Sequence, residues 1–217
     1  SYGFRRGRST LDALAMIQRQ LQPTCQGDSP IGYVIEGDIK GCFDNIDHHR
    51  LMEQVRRRIN DSKVLRLIHA FLKAGIMAEG TLRHPVTGTP QGGIISPMLA
   101  NIYLTVLDAR YRRWIPGPNE APDNAQLRRR RDIRKGRPTF YLVRYADDFV
   151  ILTNGTQEEA EVEKVALAEF LQQELGMELS MEKTLVSSVD SGFGFLGYRV
   201  VKERAILSKR PVGKLYI

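Results

Sequence analysis

An α+β fold, with helices packed on one face of an antiparallel sheet, is what this 217-residue sequence predicts. Three observations point to it. Segments of helical period alternate with apolar runs of strand length. Two of those runs, 31–38 and 141–152, are rich in Val, Ile and aromatic residues, which favour strands. The second run is interrupted by Ala146-Asp147-Asp148, a turn signal that folds it into a hairpin.

The elements follow in order. Leu11, Leu14 and Ile17, with Ala13 and Ala15 between, give helical spacing over 10–21, and Ser9 or Thr10 can cap it. Gln26-Gly27-Asp28-Ser29-Pro30 is a turn before the first central strand, 31–38. Asp47 can cap a helix over about 48–59, and a second helix over about 63–74 ends before Gly75. Gly92-Gly93 makes a flexible loop, Ser96 can cap the next helix, and Pro97 fits its first turn. Residues 98–107 are apolar nearly all round, which predicts a buried helix. A basic insertion and the hairpin come next. Thr156 can cap a helix over about 157–175, which Gly176 ends. Residues 185–189 and 193–201 read as strands, and Lys202-Glu203-Arg204 turns into Ile206-Leu207-Ser208. No internal repeat is present.

The length suffices for a sizeable core and fits one large domain or one and a half. No run of about eighteen apolar residues exists to form a membrane-spanning helix, and no signal peptide is visible. Cys25 and Cys42 sit in unrelated contexts that suit free thiols in a reducing compartment, so a cytoplasmic location is expected. The net charge is +7, and it is concentrated: 109–140 holds ten Lys/Arg against three Asp/Glu, while the rest of the chain is balanced. Such a stripe, centred on Arg128, Arg129, Arg130 and Arg131, suits a polyanionic partner through counterion release. Pro116, Pro118 and Pro122 suggest a protruding, partly disordered loop in its first half.

The carboxylates say most about chemistry. Buried charge is unfavourable unless paired or bound to a cation, and Asp is a poor strand former. A lone Asp-Asp in a turn reads as solvent-facing. Here the flanks are apolar on both sides, and a third carboxylate, Asp38, ends the other central run. Two strands that each end in Asp can bring three carboxylates together. That is the ligand supply for two-metal phosphoryl transfer, with ions roughly 3.5–4 Å apart. The hard cation that suits such oxygen ligands and shares its shell with phosphates is Mg2+.

Ordered blocks run along nearly the whole chain: Ser1-Tyr2-Gly3-Phe4-Arg5-Arg6-Gly7-Arg8-Ser9, Gly37-Asp38-Ile39-Lys40-Gly41-Cys42-Phe43-Asp44, Thr89-Pro90-Gln91-Gly92-Gly93-Ile94-Ile95-Ser96-Pro97-Met98-Leu99-Ala100-Asn101, Tyr145-Ala146-Asp147-Asp148, Leu179-Ser180-Met181-Glu182-Lys183-Thr184 and Phe195-Leu196-Gly197-Tyr198. In this order they resemble the finger–palm junction, polymerase motifs A to D and the primer grip of the group II intron-encoded reverse transcriptases, also called maturases. The resemblance implies a right-hand polymerase palm with the base of the fingers. Residues 1–30 would form the junction and 31–217 the palm, including the basic insertion 109–140 and a primer-grip hairpin, 193–208. The rest of the fingers and the thumb would lie outside this sequence, so the segment alone is expected to be inactive.

The resemblance also implies roles. Asp38 and Asp147 would bridge two Mg2+ ions, which Mn2+ could replace; the Ile39 carbonyl would add an oxygen, and Asp148 would ligate one ion or hold the geometry. Phe43 would lie beneath the sugar of the incoming deoxynucleoside triphosphate and exclude a 2′-hydroxyl, although Phe is usually a core residue. Gln91 and Gly92 would lie near that nucleotide, where glycine lets the backbone come close. Lys183 would protonate the leaving pyrophosphate. Arg5 and Arg8 suit template phosphates, and Leu196-Gly197 would support the primer. Arg6 stands where family members often carry Pro. The implied partners are an intron RNA template, a DNA primer and deoxynucleotides, with no membrane. Two alternatives remain open: another bacterial reverse transcriptase (retron, diversity-generating or CRISPR-associated), and a non-catalytic RNA-binding splicing factor. Ser96-Pro97 after Gly-Gly-Ile-Ile resembles the intron family, and the intact carboxylates argue against lost chemistry.

Overall fold

A computed structural model describes residues 1–23, 28–73, 76–78, 81–83, 95–116, 120–202 and 208–209. Helix α1 (Thr10–Leu21) opens with a reciprocal cap: the Ser9 hydroxyl accepts from the Asp12 N–H, and the Asp12 carboxylate accepts from the Ser9 N–H. Then come β1 (Tyr33–Gly37), α2 (His48–Arg56), α3 (Ser62–Lys73) and the short pair β2 (Ile76–Ala78) and β3 (Thr81–Arg83). They are followed by α4 (Ser96–Tyr103), α5 (Thr105–Arg110), α6 (Pro122–Arg134), β4 (Phe140–Tyr145) and β5 (Asp148–Thr153). The chain continues with α7 (Gln157–Leu175), β6 (Leu185–Ser188), β7 (Phe193–Phe195), β8 (Tyr198–Val200) and β9 (Ser208–Lys209). Asp47 caps α2 through the Arg50 N–H at 2.8 Å. Thr156 and Glu159 form a reciprocal cap on α7, and Gly176 ends it in the left-handed region at φ 64°.

The central sheet is antiparallel, in the order β4-β5-β1-β6. Alternation along the strands feeds two cores. Ile35, Leu142, Phe149 and Ile151 pack with α2–α5 and α7 on one face. Val34, Tyr141, Val143, Val150 and Leu152 pack on the other. The helical layer is therefore the expected one. Helix α1 lies on the opposite face, because its stripe Ala13, Leu14, Ile17 and Leu21 covers the second set of sheet residues, together with Phe193, Phe195 and Val200. Strands buried on both faces explain why β4 and β5 read as unbroken apolar runs.

Four expectations need correcting. The cap of α4 falls on Ile95 without a side-chain bond, and Ser96 is instead buried in the first turn. The helix expected over 98–107 breaks at Leu104 into α4 and α5, and Met98 is half exposed. The single strand expected over 193–201 is a hairpin, with Leu196 at φ 51° and Gly197 at φ 79° as its two turn residues. Both at positive φ is the primed geometry that matches strand twist. Finally, the insertion expected to protrude or be disordered carries α6, docked on the body. Ala125 and Asp132 face inward, and the Asp132 carboxylate accepts from Arg113 Nε and Nη2, at 2.9 and 3.0 Å, and from the Trp114 indole N–H.

Candidate active site

The β4–β5 turn places Asp147 at its tip and Asp148 at the first position of β5, paired with Tyr145. Strand β1 lies beside β5 with Gly37 opposite Phe149, so Asp38, the next residue, leaves the sheet at the same end. The Asp38 N–H donates to the Thr184 hydroxyl at 3.3 Å, and its carbonyl accepts from the Ser180 N–H at 2.8 Å. Ile39 bridges Leu179 in a pairing whose bonds are made by the residues on either side. In such a pair the N–H and C=O of Ile39 point away from Leu179, toward the β5 side where Asp148 begins.

The strand packing here has a specific demand. A Cβ on Gly37 would meet the Phe149 ring at 2.0 Å, so the ring lies directly over the glycine. Glu36, one residue earlier, accepts from the Ser187 hydroxyl and from the Gly194 N–H, each at 3.0 Å. It ties the β7–β8 hairpin to the central strand. A cleft of about 270 Å³ results, bounded by Glu36, Asp38, Asp148, Lys183 and the Leu196-Gly197 turn. Lys183 is exposed, with Nζ 3.8 Å from Asp38 Oδ2.

Electrostatics mark the same place. Burial first, then the charge of Asp38, raises the Asp147 carboxyl above its ordinary range, against a lowering by its own backbone and by Arg144. Partial desolvation first, then the charges of Asp147 and Asp38, pushes Asp148 up to about 6, although the residue is exposed at the strand end. Carboxylates near enough to raise one another are oxygen donors of the kind that suits a hard divalent cation. Among the described residues no group of three or more Asp, Glu, His or Cys side chains is placed so that it could hold a metal ion, so Asp38, Asp147 and Asp148 share a sheet end without forming the three-carboxylate cluster expected from the sequence.

Behind the turn lie residues that the sequence patterns did not single out. Arg144 is fully buried beneath it, bonded to Asp108 and Asn101. A charge inside the apolar run of β4 is the same kind of signal that singled out Asp147 and Asp148. Asn101 in an apolar helix and Glu36 in a buried strand gave it too.

The remaining candidates are scattered. Phe43 is half buried and packs against the helix-side core. Gln91 and Gly92 lie outside the described residues. Arg5 is exposed, and Arg8 stacks 5.2 Å from the Tyr2 ring. The four insertion arginines divide. Arg128 donates to the Arg113 carbonyl at 2.8 Å and pairs with Glu120, and Arg129 sits 5.0 Å over the Tyr141 ring and donates to Gln20. Those two are part of the packing of α6. Arg130 and Arg131 are exposed, as are Arg134, Lys135 and Arg137. Helix α6 adjoins the Phe140 end of β4, roughly 17 Å along the strand from the carboxylates.

A family model described as reverse transcriptase (RNA-dependent DNA polymerase) matches residues 1–200, and the chain belongs to that family. It is 36% identical over 216 residues to Protein YkfC of Escherichia coli (strain K12), covering 94% of this chain and 56% of that protein. It is 35% identical over 250 residues to the group II intron-encoded protein LtrA of Lactococcus lactis subsp. cremoris, covering 97% of this chain and 40% of that protein. The chain thus spans about half the length of these curated relatives. The structure of apo telomerase from Candida tropicalis superposes with a TM-score of 0.65 at 16% identity, over 91% of this chain and 35% of that one, a likeness of fold. The architecture is a reverse transcriptase palm.

Proposed function

We propose that this chain is the catalytic palm of an RNA-directed DNA polymerase encoded by a group II intron. The observation that carries the reading is the shared sheet end of Asp38, Asp147 and Asp148 beside a cleft walled by the β7–β8 turn. Similarity to an intron-encoded protein favours the intron setting over other bacterial reverse transcriptases. Retained carboxylates favour catalysis over a purely RNA-binding role in splicing.

Asp38, Asp147 and the Ile39 carbonyl, with Asp148, would hold two divalent cations, Mg2+ or Mn2+. When bound, these neutralise triphosphate charge and make a primer 3′-hydroxyl a better nucleophile. The rest falls to the chain itself. Lys183 reaches the cleft from an exposed position and gives a proton to the departing pyrophosphate. Leu196-Gly197 supports the primer end. Phe43 rejects a 2′-hydroxyl by contact. The RNA template is held through its phosphates, by Arg5 and Arg8 and by the outer arginines of α6. The setting is the cytoplasm; among the described residues no helix is long and apolar enough to cross a membrane.

The test is primer extension on an RNA template by the full-length protein. Asp147→Asn should lower extension by more than ~100-fold, beyond the usual loss for a residue that only supports metal ligands, with template affinity unchanged. A wild-type protein that binds RNA without extending a primer, or a variant that extends normally, would sink the proposal.

A further inference from the structure

A buried cation lies directly behind the Asp147 turn. The Arg144 side chain has no solvent exposure. Its Nε and Nη2 donate to the two carboxylate oxygens of Asp108 at 3.0 and 2.6 Å. Its Nη1 donates to Asn101 Oδ1 at 3.1 Å and to the Ala146 carbonyl at 2.6 Å. That last acceptor belongs to the peptide that enters Asp147.

Ala146 needs holding. It sits at φ 56°, where an L residue is crowded against its own carbonyl. Such a conformation persists only where the surroundings over-determine it. Three segments converge on it here. β4 supplies Arg144, helices α4 and α5 supply Asn101 and Asp108, and the N-terminal segment closes the back. The Asn101 amide donates to the Gly3 carbonyl at 2.8 Å, the Tyr2 N–H donates to the Arg144 carbonyl at 2.8 Å, and a Cβ on Gly3 would stand 2.6 Å from the Ala146 nitrogen. Asp108 alone would neutralise Arg144. The two Nη1 bonds are what neutralisation leaves unexplained.

We propose that Arg144 is a positioning residue: its Nη1 bond to the Ala146 carbonyl fixes the direction in which Asp147 presents its carboxylate to metal, while Asp108 and Asn101 hold the guanidinium flat. The inference rests on the two-metal reading of Asp38 and Asp147. Lysine cannot substitute, because one ammonium lacks the planar fork that grips a carboxylate on one edge and a carbonyl on the other.

The test uses the full-length protein with template, dideoxy-terminated primer and deoxynucleotide, and reads Mn2+ binding by electron paramagnetic resonance beside thermal melting. Arg144→Lys should bind Mn2+ about 10–100-fold more weakly at temperatures where it is fully folded. Asn101→Ala, which removes one Nη1 partner, should weaken binding in the same direction and keeps the test open if Arg144→Lys does not fold. Wild-type Mn2+ affinity in whichever of these variants is folded overturns the proposal. Wild-type protein that binds no Mn2+, or Asp147→Asn that binds it as tightly as wild type, overturns the metal reading and the proposal with it.

Discussion

Asp148 carries its charge at a disadvantage, and that has a direction in pH. Its folded pKa is about 6 against an ordinary 3.8. A carboxyl raised in this way holds its proton more tightly in the native state. Ionising it therefore destabilises the metal-free fold as pH rises from 3.8 through about 6, and the loss is complete above that. Asp148→Asn should raise the melting temperature at pH 8 and leave it unchanged at pH 4; an equal shift at both would contradict the assignment. Phe43 poses a different question, since its packing also suits a core residue. Phe43→Val in the full-length enzyme should lose about 1–3 kcal/mol of stability by truncation. It should also raise ribonucleotide incorporation at least ~10-fold, the effect of removing about 1.4 kcal/mol of discrimination. A stability loss with unaltered sugar selectivity would make Phe43 core only. At this scale the sequence disclosed the residues that break a local rule. Asp38, Asp147 and Asp148 stood out because their flanks are apolar. Arg144 broke the same rule, but a single arginine beside a turn reads as solvent-facing until Asp108 and Asn101 are seen to enclose it.

At the scale of elements, the close stacking of Phe149 on Gly37 makes a sharp prediction. Gly37→Ala places a methyl group 2.0 Å from the ring, so the β1–β5 pair must shift or the ring must leave its rotamer. The expected loss is about 1–3 kcal/mol, as for other overpacked sites, measured by denaturant unfolding; an unchanged midpoint would mean the ring yields freely. Helix α6 separates packing from binding. Replacing exposed Arg130, Arg131 and Arg134 by Gln should flatten the salt dependence of RNA binding by a slope of roughly 2, about 0.7 for each phosphate no longer neutralised, without changing the melting temperature. Arg129→Gln should instead lower stability by about 0.5–1 kcal/mol, because the cation no longer stacks on the Tyr141 ring. An unchanged slope in the triple variant would rule out α6 as an RNA-binding element. Elements with strong end signals were legible: Ser9, Asp47 and Thr156 each cap the helix expected of them. The β7–β8 turn was not, because Leu196 is an unusual residue at positive φ and only Gly197 signals a turn there. Helix α6 was hidden because its inward residues are Ala125 and Asp132, and an aspartate satisfied by Arg113 and Trp114 carries no apolar pattern.

At the scale of the whole molecule, the sheet reads from sequence as one-sided because helices outnumber other covering elements. The apolar runs of β4 and β5 are accounted for by burial on both faces, a reading the expected one-sided sheet did not include. What no local pattern could supply was the partner of each face, since α1 and the β7–β8 hairpin are remote from β4 in the chain. That long-range packing has a functional consequence. The Asp147 turn is held between the N-terminal segment and helices α4 and α5, while the cleft wall is held to β1 by Glu36. In the proposed function this arrangement presents Asp38 and Asp147 to a shared pair of cations. Its most direct test is a crystal of the full-length protein with RNA template, dideoxy-terminated primer, deoxynucleotide and Mn2+, probed by anomalous scattering at the manganese edge. Manganese peaks are expected between the Asp38 and Asp147 carboxylates, on the side of the Ile39 carbonyl. Manganese bound elsewhere, with Asp38 and Asp147 both free of it, would contradict it.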